Sequence, residues 1–225
     1  IRNIRDTCQS CLYNAPSQPK ESLILSSQPE WPFQEICGDY FELNGHSYLS
    51  IADRFSGWLC IYHFKHGAAT SFNLITNCRT LFMNNGAPEE FTSDGGPQFK
   101  SSQFQEFLKI WGVRHRVSSV GYPQSNGRAE SAVKTAKRII RDNLSADGNL
   151  NTDKVAKAIM QYRNTPLSGT SLSPSQILFH MELRDFTPNN PTHYQVHKDW
   201  ITSNNNRELL AAKQNIRITQ HYNNT

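Results

Sequence analysis

Between residues 36 and 64 the pattern of hydrophobic and polar positions turns strand-like. Three segments stand out, 35–43, 47–53 and 57–63, rich in Ile, Tyr, Phe and Leu. Asn44-Gly45 and Ser56-Gly57 supply turn residues between them, so the spacing predicts a three-stranded antiparallel meander. The pattern then changes. Over 69–84 the apolar positions Phe72, Leu74, Ile75, Cys78, Leu81 and Phe82 recur mostly at three- and four-residue steps, predicting an amphipathic helix stopped by Gly86. Residues 90–93 read as a short strand, 101–111 as a helix opened by serine caps, and 113–117 as another strand, with Gly112 between the last two. Longer helices are predicted at 127–144 and 152–163. Ser173-Pro174 places an N-cap serine before a proline at the first position of a short helix. One more helix is expected in the tail, over 206–222. This order implies an α/β fold, with a mixed sheet (the meander plus parallel strands) flanked by helices.

A chain of 225 residues suits one large domain, or one domain with appendages. With 12 Phe, 8 Tyr and 4 Trp it is too aromatic to be disordered. No apolar run approaches the roughly 18 residues a membrane span needs. The first residue is Ile1 and no signal-type segment follows it, so a fragment of a longer polypeptide is expected. The polar stretch 14–28 reads as a linker, and Pro188 and Pro191 mark the exit from the compact region. A net charge of +4 permits a nucleic-acid partner without requiring one, which leaves the question to local clustering. Five cysteines, an odd number without a pairing framework, point to a reducing compartment. Cys37, Cys60 and Cys78 lie in apolar or helical surroundings and are expected to be inert buried thiols.

Three acidic residues have informative settings. Asp39 interrupts an apolar strand, where a carboxylate is costly unless something pairs with it. Asp94 ends the short strand beside Gly95 and Gly96, at the strand end where functional groups collect in such sheets. Glu130 falls in the first turn of the long helix. Oxygen-only carboxylate sites select hard cations such as Mg²⁺ or Mn²⁺. Taken singly, however, Asp94 fits a turn cap and Glu130 an ordinary helix N-terminus, so spacing alone decides nothing. After Glu130, the helix carries Lys134, Lys137, Arg138 and Arg141 on one side, opposite an apolar stripe of Ala129, Ala132, Val133, Ala136 and Ile140. A solvated charged face explains that pattern as well as a phosphate-binding one. Cys8 and Cys11 have metal-ligand spacing, but two thiolates do not complete a tetrahedral zinc site. His115, within Arg114-His115-Arg116, fits either a DNA contact or a strand position.

The motifs around these residues resemble a known family. Ser93-Asp94-Gly95-Gly96-Pro97-Gln98-Phe99, then Gly121-Tyr122-Pro123-Gln124-Ser125-Asn126-Gly127-Arg128-Ala129-Glu130, resemble the catalytic core of retroviral and LTR-retrotransposon integrases, with Gypsy-type elements the nearest in pattern. Thirty-five residues separate Asp94 from Glu130, the interval typical of that family. Tyr48-Leu49-Ser50-Ile51-Ala52-Asp53-Arg54-Phe55-Ser56-Gly57-Trp58, Tyr162-Arg163-Asn164-Thr165-Pro166 and Ser173-Pro174-Ser175-Gln176-Ile177-Leu178-Phe179 add to the match. His180 departs from it, standing where relatives often have glycine.

The resemblance implies a ribonuclease H-like fold and a metal-dependent polynucleotidyl transferase that processes 3′ ends and transfers strands of element DNA into target DNA. It assigns Asp39, Asp94 and Glu130 as catalytic ligands of two Mg²⁺ or Mn²⁺ ions and leaves Asp53 structural. It favours DNA contacts by Lys134, Lys137 and Arg138 and by the loop residues Tyr122, Gln124, Ser125 and Asn126. It makes residues 1–13, with Cys8 and Cys11, the end of a zinc-binding domain that holds Zn²⁺ only at full length. A linker (14–29), the core (30–188) and a connector toward a C-terminal domain (189–225) complete the division. The implied partners are element-end and target DNA and further copies of the chain, with action in the nucleus and no membrane. The alternative is a domesticated, catalytically silent DNA-binding or scaffold protein of the same origin; an RNase H proper is disfavoured by the 121–130 motif and the cysteine pair.

Overall fold

The computed structural model describes residues 28–64, 69–118, 127–167 and 171–186, together with scattered positions between 198 and 216. Strands β1 (Glu35–Leu43), β2 (His46–Asp53) and β3 (Leu59–Phe64) form the expected antiparallel meander. Between β1 and β2 the chain reverses on Asn44 and Gly45, at φ 52° and 76°. Both are left-handed, the geometry a two-residue hairpin needs and one that Asn and Gly adopt at least cost. Strand β4 (Glu90–Ser93) lies parallel beside β1, and β5 (Arg114–Val117) parallel beside β4, giving one five-stranded mixed sheet in the order β3-β2-β1-β4-β5.

Helices cover both faces. On one side, helix α1 (Ser71–Asn85), the single turn α2 (Pro97–Lys100) and helix α3 (Ser102–Ile110) enclose a core that includes Ile36, Leu49, Ile51, Phe91, Phe99 and Phe104. On the other, α4 (Gly127–Arg141) and α5 (Asp153–Asn164) pack Ala129, Ala132, Ala136, Ile140 and Val155 against Cys37, Phe41, Tyr48 and Leu59. Alternation along β1 thus feeds two cores, each buried aliphatic or aromatic side chain contributing about 1.5–3 kcal/mol. The short residues of α4 let it lie close to the sheet. Gly38 has a steric reason: a Cβ there would come within 2.7 Å of the Phe91 ring. Helix α6 (Pro174–Phe179) packs against α5 and opens with a reciprocal capping box between Ser173 and Gln176.

Several boundaries differ from the sequence reading. The third strand starts at Leu59 rather than 57, because Gly57, at φ 73°, donates to the Asp53 carbonyl and extends the turn. Turn α2 precedes α3, outside the helix expected at 101–111; Gly96 starts it without a side-chain cap, and the proline at its first position provides the start. Helix α4 ends at Arg141 instead of 144, where the Asn143 and Leu144 amides both turn back onto the Ile140 carbonyl. His180 closes α6 in the left-handed conformation, φ 58°, and donates its amide to Gln176. That is the position glycine usually fills. The described residues from 201 to 216 are helical and exposed, so the tail helix starts earlier than 206.

Candidate metal and nucleic-acid site

Asp39 stands on β1 between Cys37 and Phe41, the side chains packed toward α4, and alternation puts its carboxyl on that face. The parallel ladder of β1 and β4 ends with Gly38 opposite Ser93, so the next residues along the two strands are Asp39 and Asp94. Two aspartates fifty-five positions apart in sequence become neighbours at the carboxyl end of β4, where functional groups of such sheets gather. The Asp94 carboxylate accepts from the Gly96 amide at 3.0 Å, which fixes its orientation. A Cβ on Gly96 would press on the same carboxylate oxygen at 3.0 Å. Glu130 is exposed in the first turn of α4, the helix that covers β1.

The electrostatics join these three residues. Burial first, then Asp94 and, more weakly, Glu130, push the Asp39 carboxyl up to about 6, while the Tyr40 amide and Lys137 act in the other direction. Among the described residues no group of three His, Cys, Asp or Glu is gathered tightly enough to hold a metal ion. The link between the carboxylates is electrostatic, Asp94 and Glu130 both acting on Asp39. The donor set nonetheless fits a hard dication: all donors are oxygens, and their unneutralised negative charge is what a divalent ion would relieve.

Of the basic residues on α4, Lys137 acts on the Asp39 carboxyl, and its Nζ lies 5.6 Å from the Phe41 ring centre. Lys134 is exposed. Arg138 is exposed too, but it lines an open groove of about 440 Å³ with Cys37, Ser131, Thr135 and Tyr162, on the side of α4 toward α5. The helix thus divides its cations between two surfaces. Tyr122, Gln124, Ser125, Asn126, Cys8 and Cys11 lie outside the described residues. Cys37 and Cys78 are buried and Cys60 is partly so, all three as free thiols. Burial pushes the Cys60 and Cys78 thiols up, away from the reactive thiolate form.

Asp53 has a different setting. Only 2% exposed, its carboxylate accepts from the amides of Phe33 at 2.9 Å, Phe55 at 3.3 Å and Ser56 at 2.8 Å, and from the Ser56 hydroxyl. It ties the turn after β2 to the chain entering β1. Arg54 beside it pairs with Glu35. At the opposite edge of the sheet, Arg114 pairs with the buried Glu90 at 2.7 Å and Arg116 lies 3.7 Å from it. His115 between them points inward. Its ring stands 5.7 Å from that of Phe104 and bonds to Ser93 at 2.8 Å and Gln105 at 2.7 Å. The sequence leaves His115 open; the only hint of its direction is the alternation of β5, which turns both flanking arginines the other way.

Residues 29–123 match the family model described as the integrase core domain. The chain is 31% identical over 187 residues to an uncharacterized protein of Caenorhabditis elegans, an alignment covering 82% of this chain and 14% of that protein. It is 27% identical over 187 residues to the Pol polyprotein of Radiation murine leukemia virus (strain Kaplan), covering 80% and 32% respectively. The chain therefore spans a third or less of the length of these relatives. Among solved structures, the simian T-cell lymphotropic virus intasome matches with a TM-score of 0.62 at 23% identity, covering 84% of this chain and 69% of that one. The HTLV-2 integrase catalytic core domain in complex with magnesium matches with a TM-score of 0.51 at 21% identity, covering 66% and 97%. The five-stranded mixed sheet flanked by helices is thus the ribonuclease H-like fold, and the chain carries an integrase core domain related to that of retroviral Pol polyproteins.

Proposed function

We propose that this chain is the catalytic core of a retroelement integrase, Gypsy-like in its motifs, acting as a metal-dependent polynucleotidyl transferase. One observation carries the reading: Asp39 and Asp94 stand side by side at the end of the β1–β4 ladder, and the Asp39 carboxyl responds electrostatically to Asp94 and to Glu130 on α4. Asp39 and Asp94 would hold two Mg²⁺ or Mn²⁺ ions, with Glu130 closing the second position. Such ions, when bound, activate the attacking hydroxyl and stabilise charge developing on the phosphate. In the first step a water oxygen bonds to phosphorus and the 3′ oxygen of the element strand leaves. In the second that 3′ hydroxyl attacks a target phosphodiester and displaces the target's own 3′ oxygen, so one P–O bond forms as one breaks and no energy source is required. Lys137, beside Asp39, and Lys134, one turn earlier on α4, contact the phosphates of the element strand. Arg138 extends that contact toward the groove. The loop with Tyr122, Gln124, Ser125 and Asn126 borders the same strand.

The wider reading follows from the same resemblance. Residues 1–13 end a zinc-binding domain in which Cys8 and Cys11 supply two of four zinc ligands, 14–29 link it to the core at 30–188, and 189–225 lead to a further domain. Integration is carried out in the nucleus by several copies of the chain on element-end and target DNA. Among the described residues no helix is long and apolar enough to cross a membrane. A disintegration assay, reversing strand transfer on a branched DNA in Mn²⁺, tests the core activity. Wild-type protein is expected to religate the target strand, and Glu130→Gln to lose that activity with unchanged circular dichroism. Full activity in Glu130→Gln contradicts the assignment. A folded wild-type protein that is inactive and binds no Mn²⁺ favours the silent DNA-binding alternative.

A further inference from the structure

Behind the sheet, on the face opposite Asp39, a continuous chain of hydrogen bonds runs from α3 to the backbone of Asp94. Its direction is fixed from one end. The Gln105 side-chain amide donates to the Phe99 carbonyl at 2.7 Å, and a carbonyl can only accept, so that nitrogen is the NH₂ group. The same nitrogen lies 2.7 Å from His115 Nδ1, which must then be the accepting, unprotonated nitrogen. The proton of the neutral ring is left on Nε2, which donates to Ser93 Oγ at 2.8 Å. The Ser93 hydroxyl in turn donates to the Asp94 carbonyl at 2.9 Å. Each group has one role available, and the roles agree along the whole chain.

The surroundings hold this arrangement in place. Ser93 is fully buried, and its own carbonyl is taken by the amide and hydroxyl of Ser118, both at 2.8 Å. Phe91 and Phe104 pack edge-on to the imidazole, and its burial lowers the histidine pKa, favouring the neutral ring. On the far side, the Asp94 carboxylate takes the Gly96 amide. The peptide after Ser93 is thus gripped from behind while the carboxylate is aimed from in front.

We infer that His115 is a positioning residue for the metal site: in its Nε2-protonated form it holds the Ser93 hydroxyl on the Asp94 carbonyl and so fixes the aspartate for its ion. Its meaning depends on Asp94 being a metal ligand, as proposed above. Residues that orient a metal ligand typically carry about 10–100-fold in metal affinity or activity. His115→Gln can present a donor near the Nε2 position, whereas His115→Asn keeps only an acceptor near Nδ1. The distinction separates hydrogen bonding from mere space filling.

The test compares wild type, His115→Asn, His115→Gln, Ser93→Ala and Asp94→Asn in Mn²⁺-dependent disintegration and in Mn²⁺ titration, with thermal melting as a check on folding. His115→Asn and Ser93→Ala are expected to lower kcat about tenfold and to raise the Mn²⁺ concentration for half-maximal activity, with KM for the DNA little changed. His115→Gln is expected to recover most of that loss. Equal losses in the Asn and Gln variants, or unchanged kcat and Mn²⁺ dependence in Ser93→Ala, overturn the inference while Asp94→Asn remains inactive. Activity retained in Asp94→Asn overturns the metal-site reading, and this inference with it. Ser93→Ala removes a single oxygen, so it decides the matter even if the histidine variants fail to fold.

Discussion

Asp39 and Asp53 lie on adjacent strands of one sheet, and their carboxylates meet opposite surroundings. Asp53 is almost fully enclosed and surrounded by donors: three backbone amides and a hydroxyl converge on it. Asp39 is half-buried with little to satisfy it; the Tyr40 amide and Lys137 help, but burial and the two neighbouring carboxylates outweigh them. A buried carboxylate with its hydrogen bonds complete is a structural element. One pressed against like charges is unfavourable on its own account, and that is the condition a cation relieves. Burial alone would point to Asp53, the more enclosed of the two. What distinguishes them is the sign of the neighbours.

The largest separation between the two should appear in activity. Asp39→Asn is expected to lower Mn²⁺-dependent disintegration by roughly 10²–10³-fold, the scale on which charge-stabilising groups act in active sites. Asp53→Asn, assayed at a temperature where it is folded, should stay within several-fold of wild type. A comparable loss in both would dissolve the contrast. Stability should separate them in the other sense. Asp53→Ala leaves the amides of Phe33, Phe55 and Ser56 without their acceptor and should cost about 3 kcal/mol in urea denaturation. A cost near zero would mean that water replaces the carboxylate and that the turn does not depend on it.

The smallest effect concerns pH. The Asp39 carboxyl is raised to about 6 from its ordinary 3.8, so the folded protein favours the protonated form. The stability this brings is complete below the ordinary value and is lost as pH rises through about 6. The neutral mimic Asp39→Asn should therefore melt higher than wild type in metal-free buffer near neutral pH. Discounted for partial exposure, the gain should be about 2 °C. Below the ordinary carboxyl range the difference should vanish, and with Mn²⁺ present it should shrink or reverse, because only the wild type gains from the ion. A gain that persists unchanged in acid would locate its cause outside this titration.

Much of this arrangement is readable from the chain. Strand β1 follows from a segment rich in large apolar residues ended by Asn44-Gly45, and β4 from a short strand-like stretch ended by Asp94 and two glycines, both within the predicted bounds. The serine caps of α3 and α6 are equally legible because a cap is a local device. What the sequence does not carry is sidedness across long separations. That Asp39 and Asp94 are neighbours depends on β1 pairing in parallel with β4, a register visible only in the folded sheet. The same holds for Arg138: its place in the sequence groups it with Lys134 and Lys137, yet it borders the helix face that meets the groove. The His115 relay is further still from local reading, since its members come from β4, β5 and α3, and only tertiary contact joins them.

The most direct test of the two-aspartate contrast is anomalous diffraction from crystals soaked in Mn²⁺. Manganese density bound by the carboxylates of Asp39 and Asp94, with Glu130 drawn in and nothing at Asp53, is the expected result. Density at Asp53, or none beside Asp39 and Asp94 at saturating Mn²⁺, would contradict the assignment of Asp39 to a metal site.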